Sequence, residues 1–227
     1  MTDRLSKATE RAVEAVIFDF GGVISVPVFH DLDPIDDDFG VARGSLQRLL
    51  FGDPDDPNPD FHRLETGELT LAEYLAGLER RAPAIIGRPL DADAFLQFSA
   101  TRGLQVQWPM VHRIRTLRAD GIKLALLTNN AKEFSDSWRA SFPVLELFPV
   151  VIDSSEVGLR KPDPSIYELT CERVGVEPPA ALFLDDNVEN VESARAIGIE
   201  SILVTPDPLV TIANLDAVLA RRGMAHA

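Results

Sequence analysis

The stretch Ala15-Val16-Ile17-Phe18-Asp19-Phe20-Gly21-Gly22-Val23 runs from consecutive apolar residues into a carboxylate and then a pair of glycines. A short unbroken apolar run suits a strand of a parallel sheet, because helices cover such strands on both faces and leave no wet side for polar residues. Asp19 then falls at the strand's carboxyl end, the edge where open α/β sheets bind their ligands. Further runs of this kind lie at residues 124–127, 150–152, 180–184 and 201–204. Helical patterns separate them. Met110, Val111, Ile114 and Leu117 share one stripe of a helix that Gly121 ends. Asp163 before Pro164 reads as an N-cap and first helical residue, with Ile166, Leu169 and Val174 on the buried side. Residues 187–197, closed by Gly198, make another helix. This alternation predicts an α/β fold, a doubly wound parallel sheet built from right-handed βαβ units.

Residues 26–105 interrupt the alternation. They hold no comparable β-branched run and carry helical periodicity instead. Thr70-Leu71-Ala72-Glu73 is a capping box that opens a helix through residue 81, and residues 91–100 form a second. Asp53-Pro54-Asp55-Asp56-Pro57-Asn58-Pro59 reads as a loop. The expected organisation is discontinuous: residues 1–25 and 106–227 form the sheet core, and residues 26–105 form a small helical cap inserted after the first strand.

The 227 residues include 36 acidic and 22 basic side chains, a formal net charge of −14, with 45% apolar and 26% charged residues. That much apolar surface can offset chain entropy, which excludes an intrinsically disordered chain. The acidic excess repels phosphate backbones and anionic bilayers, so neither nucleic acid nor membrane is an expected partner. A lone cysteine, Cys171, cannot form an intrachain disulfide and fits a reducing compartment. The first residues show no apolar signal segment, and no apolar run approaches the ~20 residues that span a bilayer. A soluble, cytoplasmic protein is the expectation.

The strand ends carry the chemistry. The second strand ends Leu126-Leu127-Thr128-Asn129-Asn130, and the fourth ends Phe183-Leu184-Asp185-Asp186-Asn187. Gly158-Leu159-Arg160-Lys161-Pro162-Asp163-Pro164 lies between them in sequence. Neighbouring strands would bring Asp19, Thr128, Asp185 and Asp186 to one crevice. Three carboxylates there would repel and raise one another's pKa values. A hard divalent cation removes the difficulty, and an all-oxygen donor set favours Mg²⁺. A carboxylate at a strand end can also act as a nucleophile and form an acyl-phosphate. Lys161 and the Thr128 hydroxyl would hold the anionic oxygens of a phosphoryl group. Gly21 and Gly22 allow a tight turn that brings backbone N–H groups close to an anion.

Asp19-Phe20-Gly21-Gly22-Val23, Leu127-Thr128-Asn129-Asn130, Lys161-Pro162 and Leu184-Asp185-Asp186-Asn187 resemble, in that order, the four motifs of the haloacid dehalogenase superfamily. The resemblance extends over about residues 14–205, and residues 158–167 and 185–195 look most like the phosphatase-like N-terminal domain of soluble epoxide hydrolases and its stand-alone bacterial relatives. It implies a Rossmann-like core with an inserted cap, and a Mg²⁺-dependent phosphohydrolase acting on a small phosphorylated molecule. By the same resemblance Asp19 is nucleophile and metal ligand. The Gly21 carbonyl and Asp186 complete the protein's share of the metal shell, and Asp185 acts through water or orients a neighbour. Thr128 and Lys161 bind the transferring phosphoryl group, with Gly22 and Asn129 in support.

One position departs from the pattern. Most phosphatases of this superfamily carry a second Asp two residues after the nucleophile, which protonates the leaving group; here that residue is Gly21. The departure predicts slow turnover or a preference for good leaving groups, unless the cap supplies the proton, with His30, Asp31 and Asp33 as candidates. Two rivals follow from it: displacement of halide from a haloacid, and a phosphate-binding module without turnover. The acidic run over residues 31–38 reads as a solvated loop. His62, His112 and His226 read as structural, Trp108 and Phe29 as packing residues, and Cys171 as a buried thiol.

Overall fold

The computed structural model describes residues 11–26, 32–53, 56–101 and 103–225; Phe29, His30, Asp31 and His226 lie outside them. The chain enters through β1 (Ala15–Phe18) and then leaves the sheet for a long insertion. The insertion holds α1 (Asp33–Phe39), α2 (Ser45–Phe51), the antiparallel pair β2 (Gly52–Asp53) and β3 (Asp56–Pro57), α3 (Pro59–Glu65), α4 (Leu71–Ile85) and α5 (Ala92–Thr101). The remainder runs α6 (Trp108–Ala119), β4 (Lys123–Thr128), α7 (Ser135–Arg139), α8 (Val144–Leu147), β5 (Val150–Asp153), α9 (Ser154–Val157) and α10 (Pro164–Val174). It finishes with β6 (Ala181–Asp185), α11 (Val188–Ala196), β7 (Glu200–Leu203) and α12 (Pro208–Arg222).

The five long strands pair in parallel in the order β5-β4-β1-β6-β7. The chain winds outward from β1 through β4 to β5, then returns to the other side of β1 for β6 and β7. The strand order reverses beside β1, which places a crevice outside its carboxyl end. Side chains alternate across β1: Val16 and Phe18 face α6 and α12, whereas Ile17 faces α10 and α11. Both layers are apolar, which is why the strands read as unbroken hydrophobic runs.

The helix signals act as the sequence indicates. The Asp163 carboxylate accepts from Ser165 N at 2.8 Å at the start of α10, and Gly175 closes that helix with φ +72°. Asn187 caps α11. The Thr70–Glu73 capping box is present, yet α4 continues to Ile85 through Pro83. Pro83 forfeits one backbone bond, and burial of Ala82 with packing of Ile85 against the insertion's own core favours continuation.

Three expectations require correction. The acidic run is no solvated loop where it is described: Asp36 is fully buried, and its carboxylate accepts from Gly44 N at 2.7 Å and Leu46 N at 2.9 Å, anchoring the entry to α2. The Pro- and Asp-rich segment contains the β2–β3 pair and an Asn58 cap on α3, so the insertion is not wholly helical. Trp108 is 48% exposed at the start of α6 and is not a packing residue. Cys171 is buried as expected. Among the described residues no helix is long and apolar enough to cross a membrane.

Candidate active site

Asp19 directly follows β1, and its N–H bonds the Leu184 carbonyl at 2.9 Å, which fixes it beside the end of β6. Asp185 is the last residue of β6, Asp186 follows it, and Thr128 is the last residue of β4. One ligand oxygen from each of Asp19, Asp185 and Asp186 lies within 4.8 Å of the others. Gly22 makes that approach possible. A Cβ there would sit 1.9 Å from Asp186 Oδ2, and its φ of +73° disfavours any other residue. Gly21 differs from its neighbour, because a Cβ at that position would meet nothing within 4 Å.

Lys161 reaches this cluster fully buried. Its Nζ stands 2.7 Å from Asp19 Oδ1 and 2.6 Å from Asp185 Oδ2. The backbone that delivers it is held by Asn129, whose Nδ2 donates to the Lys161 carbonyl at 2.9 Å and whose Oδ1 accepts from Lys161 N at 2.9 Å. The Asn129 amide is therefore spent on positioning Lys161, ahead of the cis Lys161–Pro162 peptide. Asp185 is similarly engaged: beyond Lys161 it accepts from Asn187 N at 2.8 Å and from Asn190 Nδ2 at 3.0 and 3.1 Å. Those bonds fit a carboxylate that orients Lys161, while Asp19 and Asp186 face the crevice.

The electrostatics follow from burial. Loss of water pushes the Asp19 carboxyl up to about 8; Lys161 pulls it down, and the charges of Asp185 and Asp186 push it up again. Burial acts against the Lys161 charge, but Asp185 and Asp19 outweigh it and hold the ammonium above its usual range. The two tendencies conflict, since a protonated Asp19 would leave Lys161 with less to bind. The paired contacts at 2.7 and 2.6 Å favour the ionised form.

A cavity of about 660 Å³ opens above these residues. Asp19, Gly21, Thr128, Asn129, Lys161 and Asp186 line its floor, so six of the eight candidate positions meet in one place. Gly22 and Asp185 support that floor through the contacts given above. The insertion supplies the roof through Gln47, Phe51, Phe61, His62 and Glu65. Glu65 ties roof to floor: its carboxylate meets Arg160 Nε at 2.8 Å, and its carbonyl accepts from Ser154 Oγ at 2.6 Å. Burial raises the Glu65 carboxyl and Arg160 opposes that rise.

Asp33 pairs with Arg43 at 3.7 Å and is not among the cavity residues, so it does not reach the site. His62, expected to be structural, lines the cavity instead. Asn190, Glu65, Gln47, Phe51 and Phe61 also line the cavity, and none of them is among the residues expected from the sequence. The spacing Asn187-x-x-Asn190 at a helix start carried a signal for Asn190. Nothing in the sequence marks which side chains of α3 face the sheet.

The fold is thus a doubly wound α/β sheet with clustered carboxylates and a buried lysine at its carboxyl edge. The chain belongs to the haloacid dehalogenase-like hydrolases, whose family model matches residues 13–198. Bifunctional epoxide hydrolase 2 of Sus scrofa is 28% identical over 204 residues, covering 85% of this chain and 36% of that protein. A phosphoglycolate phosphatase of Nitrosospira multiformis is 29% identical over 133 residues, covering 59% of this chain and 56% of that protein. The chain thus spans about a third of the first and just over half of the second. A haloacid dehalogenase family enzyme of Bacteroides thetaiotaomicron, solved with magnesium and inorganic phosphate, superimposes with a TM-score of 0.64 at 20% identity, covering 84% of this chain and 93% of that one. The parallel sheet with its helices is the Rossmann-like core of that family.

Proposed function

We propose that this hydrolase is a Mg²⁺-dependent phosphatase of small phosphorylated molecules that works through a phosphorylated Asp19. The observation that carries the reading is the meeting of three carboxylates, whose oxygens lie within 4.8 Å of one another, with the doubly paired ammonium of Lys161. The donor set fits the metal: it is made of hard oxygens only, and their mutual repulsion is relieved by a divalent cation. Asp19, Asp186 and the Gly21 carbonyl would hold Mg²⁺, with Asp185 behind them. When bound, Mg²⁺ supplies positive charge that offsets the carboxylates and the phosphoryl oxygens.

The chain's own residues do the remainder. Asp19 attacks phosphorus, and Lys161 with the Thr128 hydroxyl holds the phosphoryl oxygens while the leaving group departs. Asn129 keeps Lys161 in place. Water then attacks the acyl-phosphate and regenerates Asp19. Residues 26–105 act as the cap, closing over the substrate and limiting water, with residues 1–25 and 106–227 as the catalytic core. Relatives that carry the name phosphoglycolate phosphatase support the phosphoryl reading over halide displacement.

The test is a screen of phosphate monoesters with Mg²⁺, with EDTA and the Asp19→Asn variant as controls. Activity lost in EDTA and restored by Mg²⁺ is the expected result. A dehalogenase would work on haloacids in EDTA, and a binding module would take up phosphate without turnover.

A further inference from the structure

We infer that His62 of α3 gives the leaving group the proton that Gly21 cannot, an inference that rests on the phosphatase reading above. Gly21 presents no side chain to the crevice, and the space where one would stand is open. An alkoxide leaves slowly without a proton, so a donor must come from another wall of the cavity. His62 lines that cavity together with Asp19, Lys161 and Asp186. It is half-buried, and its ring has no hydrogen-bond partner among the described residues. It also stands one helical turn before Glu65, whose carboxylate reaches Arg160, the residue next to Lys161. Residues three apart share a helix face, so His62 lies on the face of α3 that roofs the phosphoryl position.

Burial and Arg160 lower the His62 pKa, while Glu189 of α11 raises it; Glu65 flanks it on its own helix. Glu65 is the competing donor from the roof, but its carboxylate is committed to Arg160 at 2.8 Å. In the first step the Asp19 carboxylate bonds to phosphorus, the bond from phosphorus to the ester oxygen breaks, and the His62 imidazolium proton passes to that oxygen to give a neutral alcohol. In the second step water bonds to phosphorus and gives one proton back to the neutral ring, the bond from phosphorus to the Asp19 oxygen breaks, and the phosphate leaves as the dianion HPO₄²⁻ with Asp19 ionised. Charge and protons balance over the two steps.

The test compares a simple alkyl phosphate with p-nitrophenyl phosphate, whose leaving group needs no proton. The wild type should turn over both. His62→Gln should lose roughly 10²-fold or more on the alkyl ester, with a loss at least tenfold smaller on the nitrophenyl ester, which also reports that the variant folds. Adding Gly21→Asp to His62→Gln should recover alkyl turnover, because the open space at Gly21 admits the side chain. Equal losses on both esters, no loss on the alkyl ester, absence of alkyl turnover in the wild type, or a selective alkyl loss in Glu65→Gln instead would each overturn the inference. Activity that persists in Asp19→Asn would remove the phosphatase reading itself, separately from any role of His62.

Discussion

The sheet core and the insertion meet at one cavity but are built on different terms. The core gathers buried charge at a single edge, with Lys161, Asp185 and Asp19 interlocked at 2.6–2.7 Å. The insertion is held by its own apolar cluster, including Leu46, Leu49, Tyr74 and Leu78, and meets the cavity through packed rings such as Phe51 on Phe61, with Glu65 paired to Arg160. The difference teaches where substitution is tolerated. Floor residues hold one another in place, so changing one disturbs several; His62 in the roof, whose ring has no hydrogen-bond partner among the described residues, can change singly.

The largest expected effect breaks the floor. Lys161→Met leaves Asp19 and Asp185 without their shared cation, and should cost about 3–5 kcal/mol of stability as well as nearly all turnover. Urea unfolding and phosphatase assays check both. Gly22→Ala is a sharper probe, because beyond the strain of a side chain at φ +73° the one group it strikes is Asp186. Its Cβ would displace that carboxylate, and a misplacement of about 1 Å can cost about 10²-fold in rate. Circular dichroism should remain native, and the Mg²⁺ concentration for half-maximal activity should rise.

Leu78→Ala addresses the other region. A fully buried leucine truncated to alanine costs about 2–5 kcal/mol. Amides of α2 and α4 should exchange faster, with those of β1 and β4 little changed, and KM should rise more than kcat falls. Uniform acceleration across sheet and insertion would show that the two do not behave as separate cores.

The smallest effect concerns Cys171, a control on the core's far side. Burial pushes its thiol up to about 11, with Glu177 and Glu168 adding to the rise. A raised thiol pKa leaves little thiolate at pH 8, so a thiol reagent should label the native protein slowly and the unfolded protein fast. Labelling of the native protein should accelerate as pH approaches 11.

The same contrast explains what was legible in the sequence. The strands could be read because both faces of the sheet are covered, which writes Val16, Ile17 and Phe18 as one apolar run. The floor could be read because Asp19, Thr128 and Asp185 directly follow or end strands, where position in sequence dictates position in space. The roof was hidden. Which residues of α3 face the sheet depends on how the insertion docks, through contacts such as Ser154 with the Glu65 carbonyl that no local pattern records. Asp36 misled for a related reason, since a carboxylate within an acidic run gives no sign that it caps α2 from inside the fold.

The central claim is that Asp19 becomes phosphorylated. Acid quenching during turnover of a ³²P-labelled aryl phosphate with Mg²⁺, followed by peptide mapping, tests it directly. The expected result is hydroxylamine-labile label on the peptide that contains Asp19, absent from Asp19→Asn and from samples in EDTA. Undiminished turnover by Asp19→Asn, or label on a different residue, would contradict the account.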